Sequence, residues 1–201
     1  MADEHNREAL PAMRIAIDID STLHHYWDDL SGAASRRFGV ELPYAEQFTW
    51  GITRLRAEQL AVCIAETHCD AVIEASEPYS GAVEAVNRWH AGGHFIHVTS
   101  HRDTKAHAAT ERWLGRIGLD YDELYCSYDK VSRCVEIGID VLVDDSPVNL
   151  AAAVERGITP ATILHPWNRD LCEEEEIISA SDWPELARRL GPVLERHRRA
   201  A

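Results

Sequence analysis

The sequence predicts an α/β fold built on a parallel sheet, and three observations carry that expectation. The apolar runs in RIAID, FIHVTS and IDVLVDD are short and rich in β-branched residues, as strands buried on both faces are. Segments with helical periodicity and recognisable caps lie between them. Each run ends in polar or acidic residues, at the carboxyl end where open α/β sheets bind ligands.

Residues 1–12 read as a flexible tail. The first strand runs into Asp18 and Asp20, two positions apart and so on one face. After Leu23 no strand pattern returns until about His94, far more chain than a direct crossover needs. Tyr26 to Pro78 therefore reads as an inserted helical cap. Its first helix is expected near Asp28–Phe38, stopped by Gly39, and its second near Thr53–Thr67. The aromatic stretch EQFTWGI lies between them as a loop.

Ser80 is expected to cap a helix through His90, ended by Gly92 and Gly93. His94–Thr99 follows as a strand, Asp103–Arg116 as a helix and Leu124–Cys126 as a short strand. Lys130 falls in a loop before a helix over Val131–Ile137. Ile139–Val143 is the next strand. Ser146 caps the helix after it, with Pro147 in its first turn, and Gly157 ends it. Ala161–Leu164 is expected to be the last strand of the sheet. The run CEEEEII reads as a solvated face, and a final helix runs from about Asp182 and Pro184 to Leu190. Trp89, Trp113 and Trp183 are expected in packing roles, as is His97 inside its strand.

Composition limits the function. The chain has 201 residues and a formal net charge of −14, which argues against binding a nucleic-acid polymer or an anionic membrane surface. No stretch is long enough to span a bilayer. Five cysteines without a C-x-x-C pair, and an N-terminus without an apolar signal core, point to reduced thiols in the cytoplasm. No histidine spacing suggests a zinc site.

Singly, the polar residues at the strand ends say little: an acid before Ser-Pro is commonly a helix entry, and a lone lysine is commonly on the surface. The order is informative. DIDST supplies Asp18, Asp20 and Thr22; Thr99 ends the second main strand; Lys130 follows; Asp144 and Asp145 end the third. This pattern resembles the haloacid dehalogenase superfamily of phosphotransferases, and within it the small 5′(3′)-deoxyribonucleotidase and related nucleotidase group, over about Arg14 to Leu190. Ser21 departs from the glycine usual at that position.

The resemblance implies a Rossmann-like core of residues 13–25 and 79–192, a helical cap of residues 26–78 over the active site, and flexible tails at 1–12 and 193–201. It implies that Asp18 is the nucleophile and forms an aspartyl-phosphate. Asp20 is implied as general acid and then base, which calls for neighbours that raise its pKa. Mg²⁺ is implied as cofactor, held by Asp18, the Asp20 carbonyl and Asp144, with Asp145 acting through water. Thr99 and the amides of Ser100 and His101, the latter two expected at a helix N-terminus, would bind phosphoryl oxygens with Lys130. Phe48 and Trp50 offer flat surface for a base or, equally, for packing within the cap; base stacking is worth about 1–3 kcal/mol per base.

The expected partner is a small phosphate monoester, foremost a nucleoside monophosphate. A homodimer is compatible, and so is another phosphorylated metabolite as substrate. A receiver-type signalling module uses similar residues, but its acidic pair comes first and its lysine last. A dehalogenase needs neither Asp20 nor the Asp144–Asp145 pair. A non-hydrolytic phospho-accepting or scaffold protein would not need the full set.

Overall fold

The computed structural model describes residues 13–127 and 129–197; the expected tail at 1–12, and residues 198–201 of the one expected at 193–201, lie outside them. Among the described residues, six parallel strands form one sheet in the order β3-β2-β1-β4-β5-β6. They are β1 (Arg14–Asp18), β2 (Phe95–Ser100), β3 (Glu123–Cys126), β4 (Val141–Val143), β5 (Thr159–Ile163) and β6 (Ile178–Ala180). The helices are α1 (Tyr26–Phe38), α2 (Ala57–Thr67), α3 (Asp70–Ala75), α4 (Ala82–Ala91), α5 (His107–Ile117), α6 (Lys130–Glu136), α7 (Pro147–Glu155), α8 (Arg169–Glu174) and α9 (Trp183–His197).

The sheet is covered on both faces, which is why its strands are apolar throughout. Ile15 and Ile17 pack with α4, α5 and α9 around Val86, Trp113, Trp183 and Leu190. Ala16, between them, faces the opposite layer, where it meets Val131 and Cys134 of α6 and Ala153 of α7. Val141 and Val143 follow Ile15 and Ile17, and Leu142 follows Ala16. Trp89, Trp113, Trp183 and His97 are all buried. Among the described residues no helix is long and apolar enough to cross a membrane.

Helices α1 to α3 form an insertion between β1 and α4. Its entry and exit lie side by side: His24 bridges Pro78, and the Tyr79 amide donates to the Leu23 carbonyl. The insertion has its own apolar cluster around Trp27, Leu30, Ala34, Leu42 and Cys63, which Trp167 joins from the loop after β5.

Several local expectations change. Gly81, not Ser80, caps α4, with φ 83° and no side-chain cap bond. A Cβ there would come within 2.9 Å of the Pro184 ring, so close packing and backbone conformation both call for glycine. The helix expected from Asp103 begins as a 3-10 turn, Thr104–Ala106, capped by Asp103, and becomes α-helical at His107. Lys130 opens α6 instead of preceding it. The last strand is β6, not the run ending near Leu164, and α9 continues past Leu190 through Pro192 to His197. Its strongly amphipathic sequence puts Leu186, Leu190 and Leu194 in the core, so residues expected to fray are helical.

Candidate active site

β1 and β4 are neighbours, and the strand order reverses between them. The crevice beyond their carboxyl ends is the switch point where such sheets bind ligands. Alternation along β1 carries Asp18 to the face of Ala16, and alternation along β4 carries Asp144 to the face of Leu142. Thr99 sits directly opposite Asp18 in the β1–β2 register. The same layer contains α6, whose first residue is Lys130.

Lys130 Nζ donates to Asp18 Oδ1 at 2.5 Å and to Asp144 Oδ2 at 2.9 Å. All three side chains are buried. Asp144 also accepts from the Ser146 amide and from both-oxygen contacts with Asn149 Nδ2. Asp145 differs: among the described residues, no donor reaches its carboxylate. Its carbonyl is held by Trp167 Nε1 and Asn168 Nδ2, which fixes the backbone and leaves the side chain facing the cavity. Thr99 Oγ1 is buried and has no partner among the described residues.

Carboxylate oxygens of Asp18, Asp144 and Asp145 lie within 4.8 Å of one another. Burial, together with Asp144 and Asp20, outweighs Lys130 and pushes Asp18 up to about 7. Burial, then Asp18 and Asp144, raises Asp145 well above the usual carboxylate range. Lys130 stays protonated because Asp144 and Asp18 more than offset its own burial. Three acids thus share one cation, and an oxygen-only donor set of this kind fits a hard divalent ion such as Mg²⁺. The Asp20 carboxylate is not part of this group.

Asp20 is held elsewhere. Arg102, 2% exposed, donates from Nη2 to Asp20 Oδ1 at 2.7 Å and from Nε to Oδ2 at 3.2 Å. The Ser100 hydroxyl donates to Oδ2 at 3.3 Å, and His24 Nε2 lies 3.0 Å from Oδ1. His68, from the insertion, places Nε2 at 3.7 Å. Burial alone would raise Asp20, but Arg102, His24 and His68 hold it well below the usual range. The expectation of a raised pKa is therefore reversed, because the cation responsible lies 82 residues along the chain. Ser100 and His101 do not open a helix either: α5 starts only at His107.

Between Asp20 and Thr22 the chain turns sharply. Ser21 has φ 61°, the only positive φ among the described non-glycine residues, a conformation costing an ordinary residue roughly 1–2 kcal/mol. This is the position where the resemblance leads one to expect glycine. The Ser21 carbonyl accepts from His165 Nε2 at 2.7 Å, and Tyr44 Oη lies 2.7 Å from His165 Nδ1. A carbonyl can only accept, so Nε2 carries the proton. Burial lowers His165 to about 4, so near neutral pH the ring is uncharged and Nδ1 accepts from Tyr44.

A pH signature follows from His165. The folded ring stays neutral while the unfolded one protonates, so stability falls as pH falls wherever the unfolded state binds more protons. The window runs from the ordinary 6.5 down to about 4 and is worth roughly 3 kcal/mol. Urea titrations of wild type and His165→Gln across this range should show a shallower pH slope in the variant. Equal slopes would contradict a buried neutral ring.

Above these groups lies a cavity of about 390 Å³, floored by Asp20, Ser21 and Asp145 and walled by Tyr26, Trp27, Leu30, Leu60, Ile64 and Trp167. Of the two aromatic residues expected to meet the substrate, Trp50 lines this cavity, 6.3 Å from the Trp167 ring. Phe48 is 67% exposed and does not line it. The neighbouring loop directs Phe48 outward, and no periodicity in EQFTWGI distinguished the two. Arg102, His68 and Trp167 were not singled out from sequence. The only hint for Arg102 was its place three residues after Thr99.

Neither a protein-family model nor a curated protein sequence matches the chain. Solved structures do. A haloacid dehalogenase-like hydrolase from Streptococcus pneumoniae superposes with a TM-score of 0.65 at 16% identity, covering 88% of this chain and 98% of that one. A HAD family hydrolase from Deinococcus radiodurans R1, solved with bound phosphate and sodium, gives 0.64 at 17% identity over 92% and 98%. A predicted phosphoglycolate phosphatase from Haemophilus somnus 129pt gives 0.61 at 16% identity over 88% and 97%. These likenesses fix the architecture: the chain has the Rossmann-like α/β fold of haloacid dehalogenase-type hydrolases.

Proposed function

We propose that the protein is a Mg²⁺-dependent phosphomonoester hydrolase that works through an aspartyl-phosphate on Asp18. The observation that carries this is the grouping of Asp18 with buried Lys130, the Thr99 hydroxyl, unpartnered among the described residues, and the Asp144–Asp145 pair at the carboxyl end of the sheet, where Asp145 floors the cavity. Support comes from the structural neighbour that was solved with phosphate and sodium bound.

Asp18 attacks phosphorus with its free oxygen while Lys130 holds the other. The phosphoryl group transfers to that oxygen as the ester P–O bond breaks, and the leaving oxygen keeps that bond's electron pair and takes a proton from the protonated fraction of Asp20. Thr99 donates to a phosphoryl oxygen, and Lys130 opposes the charge that develops there. By the resemblance, the amides of Ser100 and His101 at the end of β2 would add donors. Asp18, Asp144 and Asp145 would hold the Mg²⁺, which supplies electrostatic stabilisation of the phosphoryl oxygens. Asp145 is better suited to direct ligation than the resemblance implies, because its carboxylate is not already taken up by donors. The Asp20 carbonyl remains a further ligand by resemblance.

Held ionised by Arg102, Asp20 is poised as a base: it takes a proton from the water that hydrolyses the intermediate. Its acid role in the first step has to work against that same ion pair. Good leaving groups should therefore be favoured. Asp20→Asn should cost a nucleoside monophosphate at least about tenfold more in kcat than an activated aryl phosphate, measured as phosphate release with and without Mg²⁺. Equal losses would confine Asp20 to the base step, which both substrates share, and no loss with either would make it structural.

The finer reading is a nucleotidase acting on (deoxy)nucleoside monophosphates. Its support is a cavity lined by Trp50, Trp167, Trp27 and Tyr26, sized for a flat organic group beyond the phosphate.

A further inference from the structure

Resting on that hydrolase reading, we infer that the cavity selects phosphate monoesters whose alcohol is uncharged and carries a flat ring, and rejects alcohols bearing a carboxylate or a second phosphate. The wall beyond the carboxylates is built from Tyr26, Trp27, Leu30, Leu60, Ile64 and Trp167. Among the described residues, no lysine or arginine lines it.

The two cations nearest the floor are already committed. Arg102 is buried and paired to Asp20, with its remaining nitrogen on Thr110. Lys130 is shared by Asp18 and Asp144. His68 reaches the cavity, but its Nε2 lies 3.7 Å from Asp20 Oδ2, beside a carboxylate of the site. A second anion on the substrate would be desolvated against an apolar wall with no lysine or arginine to pair with. An uncharged ring gains contact with the indoles of Trp50 and Trp167 instead.

Polar recognition of the ring's edge is limited. Gln47 lines the cavity, but its amide nitrogen donates to the Thr49 and Gly51 carbonyls of its own loop, at 2.6 and 3.1 Å. The wall can therefore stack a ring without reading its donor and acceptor pattern. Purine and pyrimidine nucleotides should be separated by less than about tenfold in kcat/KM, as contact with an apolar wall alone allows.

The test uses a matched pair, phenethyl phosphate and 4-carboxyphenethyl phosphate, which share leaving-group chemistry and differ by one remote carboxylate. With the full chain and Mg²⁺, the uncharged member should be hydrolysed with a kcat/KM on the order of a hundredfold higher. Phosphoglycolate should be poor by a similar factor. Leu60→Lys, which puts a cation in the wall, should narrow the gap at least about tenfold; Ile64→Lys serves if the first variant does not fold. Binding of both compounds to Asp18→Asn, followed by tryptophan fluorescence, separates selection from turnover. Equal binding and equal turnover, or a preference for the carboxylated compound, would overturn the proposed selectivity. Selective binding without hydrolysis of any monoester by wild type would overturn the hydrolase reading and leave the selectivity standing.

Discussion

Asp18→Asn should abolish hydrolysis while leaving the fold intact. The amide cannot attack phosphorus and is a poor ligand for a hard cation, so kcat should fall by more than about a hundredfold, roughly 3 kcal/mol of barrier. Stability should respond differently. In the folded protein Asp18 titrates at about 7, so above that pH its ionised form adds repulsion among three buried acids. The native carboxyl holds a proton that the unfolded one releases between 3.8 and about 7, and stability is lost as pH rises through that window. Asn removes this contribution while keeping a side-chain oxygen near Lys130. The variant should therefore lose less stability than wild type between pH 5 and pH 8 without Mg²⁺. A folded Asp18→Asn variant retaining more than about a hundredth of wild-type kcat would remove Asp18 from the chemistry.

Lys130→Met should be the most destabilising change in the site. Lys130 is 2% exposed and bridges Asp18 and Asp144. Removing one partner of a buried ion pair typically costs about 3–5 kcal/mol, because the remaining charges are left uncompensated. Asp145 already has a raised pKa and would lose the cation that partly opposes that rise. The stability loss should be larger at pH 8, where the acids must ionise, than at pH 5, and Mg²⁺ should recover part of it at pH 8. Urea midpoints at both pH values, with and without Mg²⁺, read this directly. A pH-independent loss below about 1 kcal/mol would mean the lysine is not the group that makes this cluster tolerable.

What sequence conveyed best was the sheet and the residues at its carboxyl edge. Ile15–Ala16–Ile17 and Val141–Leu142–Val143 are apolar at every position because layers cover both sides, and that pattern is local. Asp18, Thr99, Lys130 and Asp144 then meet because each sits at a strand end or helix start facing one crevice. Short elements were less legible. β6 has three residues beside a run of glutamates, and α3 has six, too few to establish a period. Gly81, not Ser80, caps α4, and the Pro184 ring that leaves no room for a side chain there is a contact across the fold.

The same limit explains the reversed expectation at Asp20. Two nearby carboxylates suggested a raised pKa, yet the ion pair with Arg102 and the approach of His68 depend on tertiary placement. Ser21 shows the opposite case. Its departure from glycine was visible in the sequence, and the structure shows what it means locally: a left-handed residue whose carbonyl is held by His165.

The most direct test of the central claim is to quench wild-type enzyme during turnover of a good phosphate monoester substrate with Mg²⁺, reduce the acyl phosphate with borohydride, and map the modified peptide by mass spectrometry. The mechanism predicts modification at Asp18, within the peptide containing IDIDST, in wild type and none in Asp18→Asn. Steady hydrolysis with Asp18 unmodified, or a phosphoryl group trapped on another residue, would contradict it.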